Sequence, residues 1–136
     1  MLKKNNTIVK KVASICKDEP AIAAAYIFGS HAKGSQKKSS DLDVALLLNE
    51  TEIADFFTLD FITALEKKLA CKVDVIILNK AGEVLKFEVR RQGILVFERS
   101  KKDRKQFDIK GRKSYEDFLY LHKKYVKSVL YGNIHG

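Results

Sequence analysis

The chain has 136 residues, a hydrophobic fraction of 46%, a charged fraction of 32% and a formal net charge of +9 at neutral pH. That length holds one domain with a real core and little room for a second module, and the composition is that of an ordinary soluble globular protein. No apolar run approaches the roughly 18 residues of a spanning helix, and the opening Met-Leu-Lys-Lys-Asn-Asn leads into no signal-peptide pattern, so a cytoplasmic protein without membrane contact is expected.

In chain order, residues 3–18 read as a helix with Ile8, Val12 and Ile15 on one face, stopped by the single proline, Pro20. Residues 22–28 form an apolar run ending at Phe28 and Gly29, a buried strand. Residues 30–40 have no apolar period, which predicts one helical turn and then a loop. Residues 42–48 are a second strand. Asn49 followed by Glu52 resembles a capping box, and Leu59, Ile62, Leu65 and Leu69 form a stripe, so a helix is expected over about 51–70. Residues 72–78 read as a third strand, 80–92 as a helix and 94–97 as a fourth strand. A charged connection over 99–112 is expected to lead to a last helix capped by Ser114, with Tyr115, Phe118, Leu119, His122, Val126 and Val129 on one face. With no repeat, low-complexity tract or linker, this is one α/β domain: a small mixed sheet flanked by helices, with a C-terminal helical extension.

Cys16 and Cys71 stand 55 positions apart without a Cys-x-x-Cys pair, so free thiols are expected rather than a zinc site or disulfide. Charge is uneven: residues 99–136 hold 11 Lys or Arg against 4 Asp or Glu, while residues 1–98 hold 15 against 13. The basic end is either a solvated helix face or a surface for phosphates, nucleic acid or an acidic protein. The stripe of Tyr115, Phe118 and Tyr125 reads as packing or an oligomer contact rather than base stacking.

The chemistry concentrates in Tyr26-Ile27-Phe28-Gly29-Ser30 and, ten residues on, Asp41-Leu42-Asp43 opening an apolar strand. Alternation places Asp41 and Asp43 on one face, Cα atoms about 6.5–7 Å apart. Aspartate is a poor strand former and an ionised carboxylate beside apolar groups is costly without a compensating cation, so the pair points to a divalent metal. Asp74 interrupts a third strand, Val73-Asp74-Val75-Ile76-Ile77; if the strands pair, three carboxylates converge, an arrangement that suits two Mg²⁺ ions in phosphoryl or nucleotidyl transfer. Gly29 allows close backbone approach to a phosphate, the Ser30 hydroxyl and helix-start N–H groups can bind its oxygens, and Lys33 lies one turn on.

These residues together resemble the DNA polymerase β nucleotidyltransferase superfamily, and the size resembles its minimal nucleotidyltransferase (MNT) branch, antitoxins that accompany HEPN-domain RNase toxins. The resemblance implies a polymerase β-like fold, with a nucleotidyltransferase core over 1–98 and a basic helical extension of the same domain over 99–136. It implies metal binding by Asp41 and Asp43, metal binding or proton acceptance by Asp74, and a triphosphate held by Gly29, Ser30 and Lys33. The lysine departs from the arginine common in relatives, giving a point charge in place of a bidentate fork. The implied activity is Mg²⁺-dependent transfer of AMP from ATP to a tyrosine of a cognate HEPN toxin, with a hetero-oligomer and no stable nucleic-acid binding expected. Two rivals stand beside it: transfer to a small hydroxylated molecule such as an aminoglycoside, which the basic end disfavours, and a steric antitoxin without catalysis. The chain is not expected to be the RNase, since HEPN toxins resemble one another in an Arg-x4-6-His motif and nine residues separate Arg112 from His122 here.

Overall fold

The structure, a computed structural model, describes residues 6–29 and 41–132. Its sheet has the order β3-β2-β1-β4, with β1 (Ile22–Phe28), β2 (Leu42–Leu48), β3 (Val73–Ile77) and β4 (Ile94–Glu98). β1 runs antiparallel to β2 and β4, and β2 runs parallel to β3. The mixed sheet follows from connectivity: β2 and β3 are joined through a helix, which only a parallel pair requires. Helices α1 (Asn6–Lys17) and α2 (Thr58–Leu69) cover one face, and α3 (Glu83–Gln92) and α4 (Lys101–Tyr131) cover the other.

Covering both faces explains why β1 and β2 are apolar throughout instead of alternating. Leu42, Val44, Leu46 and Leu48 pack with Val12, Cys16, Phe61 and Leu65, whereas Ala45 and Leu47 pack with Ala24, Tyr26, Leu78 and Val89. Alanines at 23, 24 and 25 let the helices approach the central strand closely. Cys16 is buried and Cys71 partly buried, both free thiols as expected. Burial pushes the Cys16 thiol up to about 12, with the Arg99 charge pulling the other way.

Two helix expectations need correction. The helix over 51–70 is broken: a 3₁₀ turn, Glu50–Asp55, is followed by extended Phe56 and Phe57 before α2 begins. Phe56 packs into the core and against Phe61, a contact that a continuous helix would forgo. Asn49 makes no capping bond; its Nδ2 donates to the Pro20 carbonyl at 2.9 Å. The inward stripe of α2 runs through Phe61, Leu65 and Leu69, leaving Leu59 78% exposed. The charged connection over 99–112 is helix as well. Ser100, not Ser114, caps it by accepting from the Asp103 N–H at 3.2 Å, so α4 is one helix of 31 residues. Its charges make the ordered ladder Glu98–Arg104–Asp108, at 2.9 and 3.0 Å, which supports the first turns.

Arg99 ties the two ends of the fold together. Its Nε donates to the Ile22 carbonyl at 3.0 Å, and Nη2 donates to the carbonyls of Cys16, Lys17 and Glu19 at 3.0, 3.3 and 3.1 Å. These include carbonyls at the C-terminal end of α1, where a cation is also favoured by the helix dipole. Arg99→Ala is expected to lower stability by about 2 kcal/mol, on the scale of losing charged hydrogen bonds. A urea unfolding midpoint unchanged from that of the parent would contradict this role.

Candidate active site at one end of the sheet

The register gathers the chemistry. In the antiparallel β1–β2 pair Phe28 lies opposite Asp43, so Gly29 emerges beside the start of β2. In the parallel β2–β3 pair Asp43 lies opposite Asp74. Partners in such a ladder point to the same face, on strands about 4.8 Å apart. Asp43 and Asp74 share the face covered by α3 and α4, at the end of the sheet where β1 finishes and β2 and β3 begin. Asp43 is half-buried and Asp74 exposed. Asp41, also exposed, immediately precedes β2.

Gly29 is fixed by two constraints at once. Its φ of +74° lies in the left-handed region, and a Cβ there would collide with the Asp43 carboxylate. The turn backbone and that carboxylate are therefore in direct apposition. Only a residue without a side chain leaves the turn backbone room this close to the Asp43 carboxylate.

The start of β3 is held by residues that the sequence did not single out. Glu66 of α2 accepts from the Val73 N–H at 2.9 Å, and Leu42 donates to the Lys72 carbonyl at 2.9 Å. Together they set the register that brings Asp74 level with Asp43. Cys71 sits near this edge, its thiol pushed up by burial and by the charges of Glu66 and Asp41. No local motif announces Glu66, because its partner lies across a turn in the next element. Ser30 and Lys33 lie outside the described residues.

Among the described residues no three acidic, His or Cys side chains are already drawn together at ligand distance. Like charges do not converge unaided. The donor set nevertheless fits a hard cation: carboxylate oxygens from two paired strands, beside a turn that can present phosphate oxygens to complete an octahedron. The carboxylate oxygens present thus match Mg²⁺.

Residues 10–102 match the family described as Polymerase beta, Nucleotidyltransferase. The chain belongs to that family. Among sequence relatives, it is 37% identical over 70 residues to a protein of Methanocaldococcus jannaschii whose name carries an inferred protein adenylyltransferase activity, covering 51% of this chain and 70% of that one. It is 31% identical over 84 residues to the protein adenylyltransferase MntA of Shewanella oneidensis, covering 61% of this chain and 60% of that one. Among solved structures, it resembles a chain of a toxin–antitoxin crystal structure with AMP-PNP, at TM-score 0.74 and 25% identity over 90% of this chain and 98% of that one. The nucleotidyltransferase fold and its mixed sheet are therefore those expected from the sequence. No described helix is long and apolar enough to cross a membrane.

If Gly29 serves both turn and carboxylate, Gly29→Ala damages the site more than the fold. The left-handed conformation costs a non-glycine residue about 1–2 kcal/mol, and the methyl must also displace Asp43. Nucleotide binding measured by calorimetry should be lost while the circular dichroism spectrum stays that of the parent. Undiminished affinity would show that the turn does not contact nucleotide.

Proposed function

We propose that this chain is a protein adenylyltransferase and antitoxin that transfers AMP from ATP to a tyrosine hydroxyl of a cognate HEPN RNase toxin. The observation that carries the reading is the alignment of Asp43 with Asp74 beside Gly29 on one sheet end. It is supported by the relative named protein adenylyltransferase MntA and by the likeness to a toxin–antitoxin complex solved with an ATP analogue.

In this reading Asp41, Asp43 and Asp74 hold two Mg²⁺ ions, which when bound offset the triphosphate charge and stabilise the charge developing at the α-phosphate. Gly29 admits the β- and γ-phosphates to the turn, and Ser30 and Lys33 bind their oxygens. The tyrosine oxygen forms a bond to the α-phosphorus as the bond from that phosphorus to the β-phosphate oxygen breaks, and pyrophosphate leaves. Tyrosine ionises near pH 10, so its proton needs an acceptor; Asp74, exposed at the sheet end, takes it. The rest of catalysis is positioning and charge compensation.

One acid-lined cleft cannot seat the acceptor of the small-molecule rival. An acid-lined cleft suited to a polycation does exist, with Asp18, Glu19 and Asp60 around a volume of about 380 Å³. It lies on the α1–α2 side, whereas Asp43 and Asp74 face α3 and α4. An acceptor seated there is on the wrong side of the sheet for transfer.

Incubation with labelled ATP, Mg²⁺ and the HEPN toxin should leave label on the toxin, and EDTA should abolish it. Asp43→Asn keeps the side-chain shape and removes the charge; toxin binding should persist while transfer falls at least about a hundredfold. A toxin that is silenced without added AMP, by parent and Asp43→Asn alike, would leave a steric antitoxin instead. Ser30→Ala should weaken triphosphate binding by about 1–3 kcal/mol, the scale of one hydrogen bond to a charged group, and unchanged calorimetric affinity would move the phosphate site elsewhere.

A further inference from the structure

The second half of α4 is a surface without a partner in the fold. In its first half, Phe107 packs on the sheet, buried Gly111 admits the Arg90 guanidinium, and Tyr115 stacks on Phe87 with ring centroids 4.2 Å apart. These positions share one helical face, which continues through Phe118, His122, Tyr125 and Val129 at alternating three- and four-residue steps. From residue 119 to the end of α4 every residue is exposed: Tyr125 by 66%, Leu130 by 58% and Leu121 by 63%. A face of one register thus begins as packed interior and ends in solvent.

The width of the uncovered part selects its occupant. At 100° per residue, Leu119, Leu121, Tyr125, Val126, Val129 and Leu130 spread over about half the helix circumference, and exposed Tyr120 and Tyr131 stand among the lysines on the other half. A second copy of α4 lying alongside would cover only the narrow seam of a coiled coil, about 100°, and leave the flanking leucines wet. Charge argues the same way for a parallel pair: residues 118–131 carry Lys123, Lys124 and Lys127 and no acid, so two copies side by side in register repel. Lys123 and Lys124 stand on the two sides of the apolar arc.

We propose that residues 118–131 of α4 insert into an apolar groove between two helices of the toxin, a groove whose lips are acidic. The inference rests on the proposed function for the partner's identity, and on the helix itself for the mode of binding, an amphipathic helix in a groove. It leaves the catalytic end of the sheet to act on the bound toxin. It also relocates the docking charge: Arg104, within the basic run, is already engaged by Glu98 and Asp108 and serves the fold.

The test pairs Val126→Glu/Leu130→Glu with Val126→Ala/Leu130→Ala, the latter retaining helix propensity. Both are made in the full chain and titrated against the cognate HEPN toxin. Association should weaken at least a hundredfold for the glutamate pair and at least fivefold for the alanine pair, with ATP binding and helix content as in the parent. Parent-like toxin affinity for both variants, while the parent still transfers AMP, overturns the docking site and spares the adenylyltransferase reading. A parent chain that is dimeric alone and becomes monomeric in both variants assigns the face to a second copy and overturns it too. If the parent neither binds nor modifies the toxin, the functional reading fails and takes this one with it.

Discussion

The ladder between β2 and β3 is the constraint on which the site depends. A shift of one residue would send Asp74 to the opposite face of the sheet from Asp43 and dissolve the carboxylate pair. The register is held from outside the site: Val73 donates to Glu66, Leu42 donates to Lys72, and the far end of β2 is clipped by Asn79, whose side chain both accepts from and donates to Leu48 at 2.9 Å. Apolar packing adds direction, since slipping β2 would exchange the leucines facing α1 and α2 with the residues facing α3 and α4. The level of the two carboxylates is thus set by contacts made elsewhere along the strands.

Burial on both faces leaves a single kind of place for chemistry. Within β1 and β2 every residue from Ala45 to Leu48 and from Ile22 to Ile27 is buried, so polar groups have access to water only at the strand ends. One end carries Gly29, Asp43 and Asp74; the other is occupied by Asn49, Asn79 and Arg99, whose polar groups bond to backbone. The two ends divide the candidate site from contacts that serve the fold. Arg99 secures α1 to β1, and α4 starts nearby with its own ion-pair ladder.

The site's acids were legible because each violates a local rule: Asp43 and Asp74 interrupt runs that otherwise pack a core. The positive φ of Gly29 follows the same logic, a glycine at the end of a buried strand. The broken helix near Phe56 was not legible, because apolar periodicity alone gives no reason for Phe56 to leave the helix; its ring finds Phe61 in three dimensions. The run over 99–112 was misread for a related reason. Its dense charge looks like solvated coil until Arg104 and Asp108 are seen to pair at i,i+4 on one helix face, with Glu98 of β4 reaching Arg104 from the strand before it. Glu66 stayed silent because its hydrogen bond closes a turn between elements.

Crystals grown with Mn²⁺ and a non-hydrolysable ATP analogue test the account most directly, by anomalous scattering at the manganese edge. The account predicts manganese peaks bound by carboxylate oxygens of Asp43 and Asp74, with the analogue's terminal phosphates against the Gly29 turn. Manganese bound elsewhere, or a triphosphate lying away from that turn, would contradict it.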